Sequence, residues 1–124
     1  QGRAPAEWRA AAASEGKMVI DGTFKVGGQK HFFLETHAAV AVPSEDGKLS
    51  VTCGMQEPEL TQNAICKALV LPHNKVDVRT RRVGGGYGGK LFHNVPTAVV
   101  AALAAKKLGR PVRMHNERAD DMAA

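Results

Sequence analysis

The chain has 124 residues, of which 44% are hydrophobic and 23% charged, and its net charge is +5. This composition is typical of one globular domain or part of one, and it excludes an intrinsically disordered chain. No run approaches the roughly 20 apolar residues that span a bilayer. Residues 1–13 carry charges and lack the apolar core of a secretory signal. We therefore expect an intracellular, cytoplasmic protein with no membrane partner.

The first half of the chain is predicted to begin with a helix and to continue as an antiparallel β unit. Alanine-rich Pro5–Ser14 favours a short helix, so residues 1–15 are expected to form a linker or helix. Alternation of apolar and polar residues predicts a strand over Met18–Val26. A second extended segment is predicted over His31–Val42, with Leu49–Cys53 returning as its hairpin partner.

The second half changes to helical spacing. Pro58–Leu69 is predicted to form a helix with proline in its first turn, and Val76–Val83 a strand. Pro96–Leu108 is apolar on most faces and predicts a buried helix, followed by a strand over Val112–Asn116. Residues 120–124 carry no predicted element. The predicted fold class is α+β: an antiparallel β unit, then helix, strand, Gly-rich loop, helix and strand.

The Gly-rich loop, Gly84–Lys90, has the sequence GGGYGGK. Each glycine weakens a regular element by roughly 0.5–1 kcal/mol, so such a run is expected where the backbone takes positive φ or closely approaches something. Backbone N–H groups between a strand and a helix suit an anionic group. A flexible linker is the alternative, but Tyr87 and the terminal lysine are not typical linker residues. We interpret the loop as a cradle for a cofactor or substrate.

Two nucleotide-binding patterns compete for this loop. Its spacing matches a phosphate-binding loop, but Leu91 follows it where a Mg²⁺-binding serine or threonine is required. The same glycines match the dinucleotide fingerprint, with Glu117 as its acidic residue. An antiparallel first half fits a dinucleotide fold poorly, so that alternative is open but disfavoured.

A basic stretch over Lys75–Lys90 allows a different class of protein, a stand-alone nucleotide- or nucleic-acid-binding module. Only 5% of residues are aromatic, and no RNA-recognition or zinc-finger pattern occurs. A basic strand that leads into a glycine loop suits an anionic cofactor about as well. Nucleic acid is therefore the less favoured partner.

Cysteine and histidine give no strong metal motif. Cys53 and Cys66 are too far apart for a CxxC motif and are predicted to be free thiols. His31, Glu35 and His37 share one face of a predicted strand, and these side chains could bind zinc. Histidines that simply lie in the strand are the preferred interpretation.

Four segments, in this order, resemble one family. They are Gly27–Thr36 (GGQKHFFLET), the turn at Gln56, Arg82–Lys90 (RVGGGYGGK) and Ala101–Arg113 (AALAAKKLGRPVR). Together they resemble the molybdopterin-binding region of the xanthine dehydrogenase and aldehyde oxidase family of molybdenum hydroxylases. The resemblance covers residues 16–122. It implies that residues 1–124 are one partial molybdopterin-binding domain, a fragment of a homodimeric enzyme that also carries FAD and 2Fe-2S clusters.

The resemblance also implies site residues. Gln56 matches the family glutamine whose side-chain amide hydrogen-bonds to a ligand of molybdenum. Its place at a predicted helix start agrees, although it could instead cap that helix. Gly85, Gly86 and Gly88 would let backbone amides approach the cofactor. Tyr87 stands where the family has a phenylalanine, near molybdenum and the substrate.

Leu91 separates two branches of that family. Xanthine-type members carry a glutamate after the lysine that Lys90 matches, and this glutamate orients the purine. Leucine cannot make those hydrogen bonds, so an aldehyde-oxidising enzyme is favoured. Lys30 replaces the family's usual glutamate, which affects local ion pairing.

The sequence thus predicts a fragment of a molybdenum-dependent oxidoreductase that hydroxylates small-molecule aldehydes or N-heterocycles. The family's general-base glutamate and arginine-bearing substrate loop have no match here, so no catalytic residue is predicted in this chain. The fragment is expected to be inactive in isolation. A cytoplasmic location is expected, with the peroxisome as an alternative.

Overall fold

The computed structural model describes residues 5–28 and 30–123. In chain order, the regular elements are helix α1 (Pro5–Ser14), strands β1 (Ala38–Pro43) and β2 (Leu49–Cys53), helix α2 (Pro58–Leu69), strand β3 (Val76–Arg79), helix α3 (Val95–Leu108), strand β4 (Val112–His115) and helix α4 (Arg118–Ala123). Short 3₁₀ turns lie at Glu45–Gly47, His73–Lys75 and Gly89–Leu91.

The four strands form one sheet in the order β3-β2-β1-β4. β1 pairs antiparallel with β2, with Ala41 opposite Val51, and antiparallel with β4 on its other side. β2 pairs parallel with β3, and α2 connects the two. A helical connection is what a parallel pair requires, because a tight turn can join only antiparallel strands.

Helices α2 and α3 pack against one face of this sheet. Alternate residues of a strand point to opposite faces, so Ala39 and Ala41 are buried while Val40 and Val42 on the same strand are exposed. Four alanines of α3 are fully buried, and their small side chains suit close packing of this helix against the sheet. The buried core consists of Ala39, Ala41, Leu49, Val51, Cys53, Met55, Ile65, Cys66, Leu69, Val76, Ala98, Ala101, Ala102 and Ala105.

The helix ends follow their local sequence. Both α2 and α3 carry proline in their first turn. Each ends on a residue in the left-handed conformation, Gly109 after α3 and Val70 after α2, the latter with a φ of 51°. Lys106 of α3 donates from Nζ to the carbonyl of Leu69 at 2.8 Å, which satisfies one free carbonyl at the end of α2.

Several predicted elements are confirmed. The structure is mixed α+β, and the helices over Pro5–Ser14 and Pro58–Leu69 have the predicted bounds. Leu49–Cys53 is a strand paired with the preceding one. The helix predicted from Pro96 begins one residue earlier, at Val95.

The strand predicted over Met18–Val26 is wrong. Residues 17–28 form no helix or strand, and Met18 and Phe24 are 86% and 89% exposed. β1 lies between β2 and β4, so the place beside β1 that the predicted antiparallel unit requires for this segment is occupied.

The second extended segment is much shorter than predicted. Only Ala38–Pro43 of the range His31–Val42 is a strand. Phe32 has a positive φ of 44°, which breaks the extended backbone, and Glu35 donates its N–H to Gly84 at 3.0 Å instead of to a neighbouring strand. The predicted antiparallel β unit is thus reduced to the β1–β2 hairpin.

The remaining corrections concern element ends. The strand predicted over Val76–Val83 ends at Arg79, and the one over Val112–Asn116 ends at His115. The end of the chain was expected to lack a regular element, and this is wrong, because Arg118–Ala123 forms α4. Six residues are too short for a periodic hydrophobic pattern to show.

Candidate functional site

The Gly-rich loop, Gly84–Lys90, packs closely against two other segments. A Cβ atom built at Gly84 would lie 2.5 Å from Cβ of Glu35, and one built at Gly86 would lie 2.5 Å from Oε1 of Gln56. A side chain at either position would force Glu35 or Gln56 to move. The glycines therefore allow close approach of the backbone, and the loop is not a flexible linker.

A tight turn forms the middle of the loop. Gly89 donates its N–H to the carbonyl of Gly86 at 2.7 Å, and the two residues between them both have positive φ, 48° at Tyr87 and 87° at Gly88. This is the pattern of a type I′ turn. Tyr87 adopts a conformation that is uncommon for a residue with a side chain, and it is 76% exposed.

Gln56 is hydrogen-bonded to the loop through both its backbone and its side chain. Its N–H donates to the carbonyl of Lys90 at 3.0 Å. Its Oε1 accepts from the N–H groups of Gly88 and Lys90, at 3.1 and 3.2 Å. Because both partners are donors, the oxygen of the carboxamide must face them. Nε2 is then the outward donor, and it has no acceptor among residues 5–28 and 30–123.

The alternative that Gln56 caps a helix is wrong. Glu57 is the N-cap residue of α2, and no side chain accepts a hydrogen bond there. Gln56 precedes the helix, and its side-chain oxygen accepts hydrogen bonds from the loop.

Lys90 is fully buried and its charge is paired. Nζ lies 2.5 Å from Oε2 of Glu35 and 4.8 Å from the centroid of the Phe33 ring. The same carboxylate oxygen accepts the N–H of Gly84 at 2.9 Å. Burial alone would raise the pKa of Glu35, but the hydrogen bonds from Lys90 and Gly84 outweigh it and hold that pKa below its ordinary value.

Three further donors lie in the loop. The N–H groups of Gly85, Gly86 and Tyr87 have no acceptor in the described part of the chain. With Nε2 of Gln56 they make four donors in one short region. Successive free amide groups around residues of positive φ are suited to an anionic or acceptor-rich ligand. The donor set therefore fits a cofactor that presents oxygen or sulfur acceptors.

The predicted site residues are only partly brought together. Gln56 contacts Gly86, Gly88 and Lys90. Leu91 is half-buried and donates its N–H to the carbonyl of Gly88 at 3.3 Å.

Glu35 was not predicted as a partner of the loop. The sequence placed it with His31 and His37 as a possible metal ligand, and the structure corrects this. Residues 31–37 do not form a strand, and no group of three His, Cys, Asp or Glu within the described residues could hold a metal ion. A buried lysine needs a counter-charge, but nothing in the sequence shows that Lys90 is buried, so the sequence carries no signal for this partner.

His31 and His37 line a common cavity. Its volume is about 340 Å³, and His93 and Asp121 line it as well. His37 is buried, and its backbone N–H donates to Oδ1 of Asp121 at 3.0 Å. Burial lowers the pKa of His37 even though the Asp121 carboxylate acts in the opposite direction. The residues around this cavity form no metal cluster.

Both cysteines are free and buried. Cys53 lies at the end of β2 and Cys66 in α2. Burial raises the pKa of both thiols, so neither has the lowered pKa of a reactive cysteine.

Comparison with known proteins agrees with this geometry. The chain matches the molybdopterin cofactor-binding domain over residues 3–124. It is 46% identical over 104 residues, 84% of this chain, to "Probable aldehyde oxidase 1" of Oryza sativa subsp. japonica. It is 42% identical over 113 residues, 91% of this chain, to "Xanthine dehydrogenase" of Drosophila subobscura. The structure resembles quinoline 2-oxidoreductase from Pseudomonas putida 86, with a TM-score of 0.68 and 29% identity over 73% of this chain and 12% of that one.

The match over residues 3–124 defines the class of this chain, a cofactor-binding domain. The chain belongs to the molybdopterin cofactor-binding domain family. It spans 8% of the length of the rice and fly relatives. No helix within residues 5–28 and 30–123 is long and apolar enough to cross a membrane.

Proposed function

We propose that this chain forms one wall of the molybdenum-cofactor site of an oxidoreductase that hydroxylates aldehydes or N-heterocycles. The observation that carries the proposal is the orientation of Gln56. Its oxygen is held by the N–H groups of Gly88 and Lys90, which leaves Nε2 as a donor facing away from the loop.

The proposed binding residues have different tasks. Nε2 of Gln56 donates to an acceptor ligand of molybdenum. Gly85, Gly86 and Tyr87 offer backbone N–H groups to the cofactor. Gly88 orients Gln56 and does not bind the cofactor directly, because its N–H donates to Oε1 of Gln56. A residue with positive φ at position 87 keeps the turn closed around these donors.

Bound molybdenum-molybdopterin supplies the oxygen-transfer and redox chemistry, and the protein supplies binding and orientation. Tyr87 and Leu91 are proposed to contact the substrate. An apolar side chain at position 91 offers a purine no hydrogen bond, so aldehydes are favoured over xanthine.

The remaining parts of the enzyme follow from the family resemblance and are proposals as well. We expect FAD, 2Fe-2S clusters and the general base to lie outside these 124 residues, in a cytoplasmic homodimer. The isolated chain should therefore bind the cofactor without turning over an aldehyde.

The test is binding of molybdenum-molybdopterin to the purified chain, measured as molybdenum retained after gel filtration. Gln56→Glu keeps an acceptor for Gly88 and Lys90 but removes the Nε2 donor. Loss of one hydrogen bond of about 1.4 kcal/mol corresponds to about tenfold weaker binding. Asn74→Asp, an equal charge change on an exposed turn, is the control and should bind as the wild type does.

Equal retention by Gln56→Glu and the wild type would remove Gln56 from the site. Absence of molybdenum from the wild-type chain, combined with tight binding of NAD, ATP or a short oligonucleotide, would favour the nucleotide- or nucleic-acid-binding alternative instead.

A further inference from the structure

We propose that Glu35 is a positioning residue, which orients the Gln56 carboxamide through its ion pair with the buried Lys90. The inference rests on the proposed role of Gln56 and adds to it a residue 21 positions earlier in the chain. We call Glu35 and Lys90 the carboxylate clamp.

The first step is the burial of Lys90. No part of its side chain is exposed, whereas the Glu35 side chain keeps 40% of its surface accessible. A buried ammonium group is stable only when it is paired and hydrogen-bonded. Glu35 is the carboxylate that pairs with it, so the position of Nζ is set by Glu35.

The second step joins Lys90 to Gln56. The backbone N–H of Lys90 donates to Oε1 of Gln56, and the backbone carbonyl of Lys90 accepts from the N–H of Gln56. Any displacement of Lys90 therefore disturbs both the backbone and the carboxamide of Gln56.

The third step is that Glu35 also holds the other end of the loop. Its Oε2 accepts the N–H of Gly84 at 2.9 Å, and its own N–H donates to the Gly84 carbonyl at 3.0 Å. A single residue thus fixes the first and last residues of the Gly-rich loop. The donors of the loop lie between these two fixed points.

The clamp also lies against the chain that leads into Gln56. A Cβ built at Gly54 would be 2.6 Å from Oε2 of Glu35 and 3.2 Å from Nζ of Lys90. A side chain at position 54, two residues before Gln56, would therefore displace the ion pair. Three segments that are distant in sequence meet at one carboxylate.

The experiment uses the ¹⁵N-labelled 124-residue chain without cofactor. Two local signals are followed by NMR: the side-chain NH₂ resonance of Gln56, identified by its loss in Gln56→Glu, and hydrogen exchange of the Gly88 N–H. Glu35→Gln keeps the shape and an acceptor for Gly84 but removes the charge. Glu35→Gln/Lys90→Met removes both charges, and Glu45→Gln/Lys67→Met is the matched control at exposed positions.

We expect the Gln56 resonance to shift and the Gly88 exchange rate to rise at least tenfold in both clamp variants, with no change in the control. The double variant buries no unpaired charge, so it is expected to fold even if Glu35→Gln does not. A folded double variant with wild-type Gln56 and Gly88 signals would overturn the proposal.

These signals are independent of cofactor binding. If they change as expected but the wild-type chain retains no molybdenum, the clamp still orients Gln56 and the proposed cofactor function fails. If molybdenum binds but the signals do not change, the function stands and the clamp does not.

Discussion

Strand β2 and residues 17–28 both alternate apolar and polar side chains, but only β2 buries its apolar side. In the hairpin, Ala41 and Val51 face α2 and α3 and are fully buried. In residues 17–28, Ile20 and Val26 are 84% and 72% exposed. Alternation shows that a segment can be a strand, but a strand also needs a neighbour with free backbone groups. That neighbour depends on the whole sheet and not on local sequence.

The largest contrast is expected between two isoleucines. Ile65 of α2 is fully buried in the core, and Ile20 lies in the exposed segment. Ile65→Ala should lower the free energy of unfolding by about 3 kcal/mol, because it removes buried methyl groups and leaves a cavity. Ile20→Ala should change it by less than about 0.5 kcal/mol. Denaturant titration of both variants measures this difference. Similar losses would show that residues 17–28 are packed in solution.

A smaller contrast is expected between two glycines. Gly85 has a φ of 90°, and a Cβ there would lie 2.8 Å from Cβ of Phe33, whereas Gly22 has nothing within 4 Å. Gly85→Ala should destabilise the chain by about 2 kcal/mol, from backbone strain and overlap together. Gly22→Ala should be neutral or stabilising by up to about 1 kcal/mol. Thermal unfolding of the two variants is the measurement. An unaffected Gly85→Ala would mean that the loop does not pack as described.

The smallest expected effect is on the pH dependence of stability, and it concerns Glu35, which contacts both ends of the Gly-rich loop. The pKa of Glu35 is lowered, so its contribution to stability is fully present above its ordinary value of 4.5 and is lost as pH falls through the folded value. The stability difference between wild type and Glu35→Gln should therefore shrink as pH falls below about 4.5. Thermal unfolding from pH 7 to 3 tests this, with Glu45→Gln as control. A constant difference across this range would contradict it.

The helices could be predicted because their signals are local. Proline at the start of α2 and glycine after α3 are features of the sequence itself. Positive φ or close approach of the backbone could be predicted for the glycine loop, but spacing and composition could not identify the residues that contact it. Phe33, Glu35 and Gln56 come from segments far from the loop in sequence. Glu35 also appeared to lie on a strand that the structure does not form.

The family resemblance predicts Gln56 as a site residue, and the structure adds the orientation of its carboxamide. That orientation depends on two N–H groups of the loop, whose directions follow from positive φ at Tyr87 and Gly88. Composition and spacing cannot predict that a non-glycine residue such as Tyr87 adopts positive φ.

The clamp has a consequence for folding kinetics. Its two residues are 55 positions apart, so the pair forms only when the chain between them has closed a long loop. Contacts of such sequence separation are slow to form, and we expect the donor array to appear late, after the β1–β2 hairpin and α2. A synthetic peptide of residues 84–90 should accordingly lack the turn and its donors. We therefore expect the proposed binding surface to require the folded domain and not the glycine motif alone.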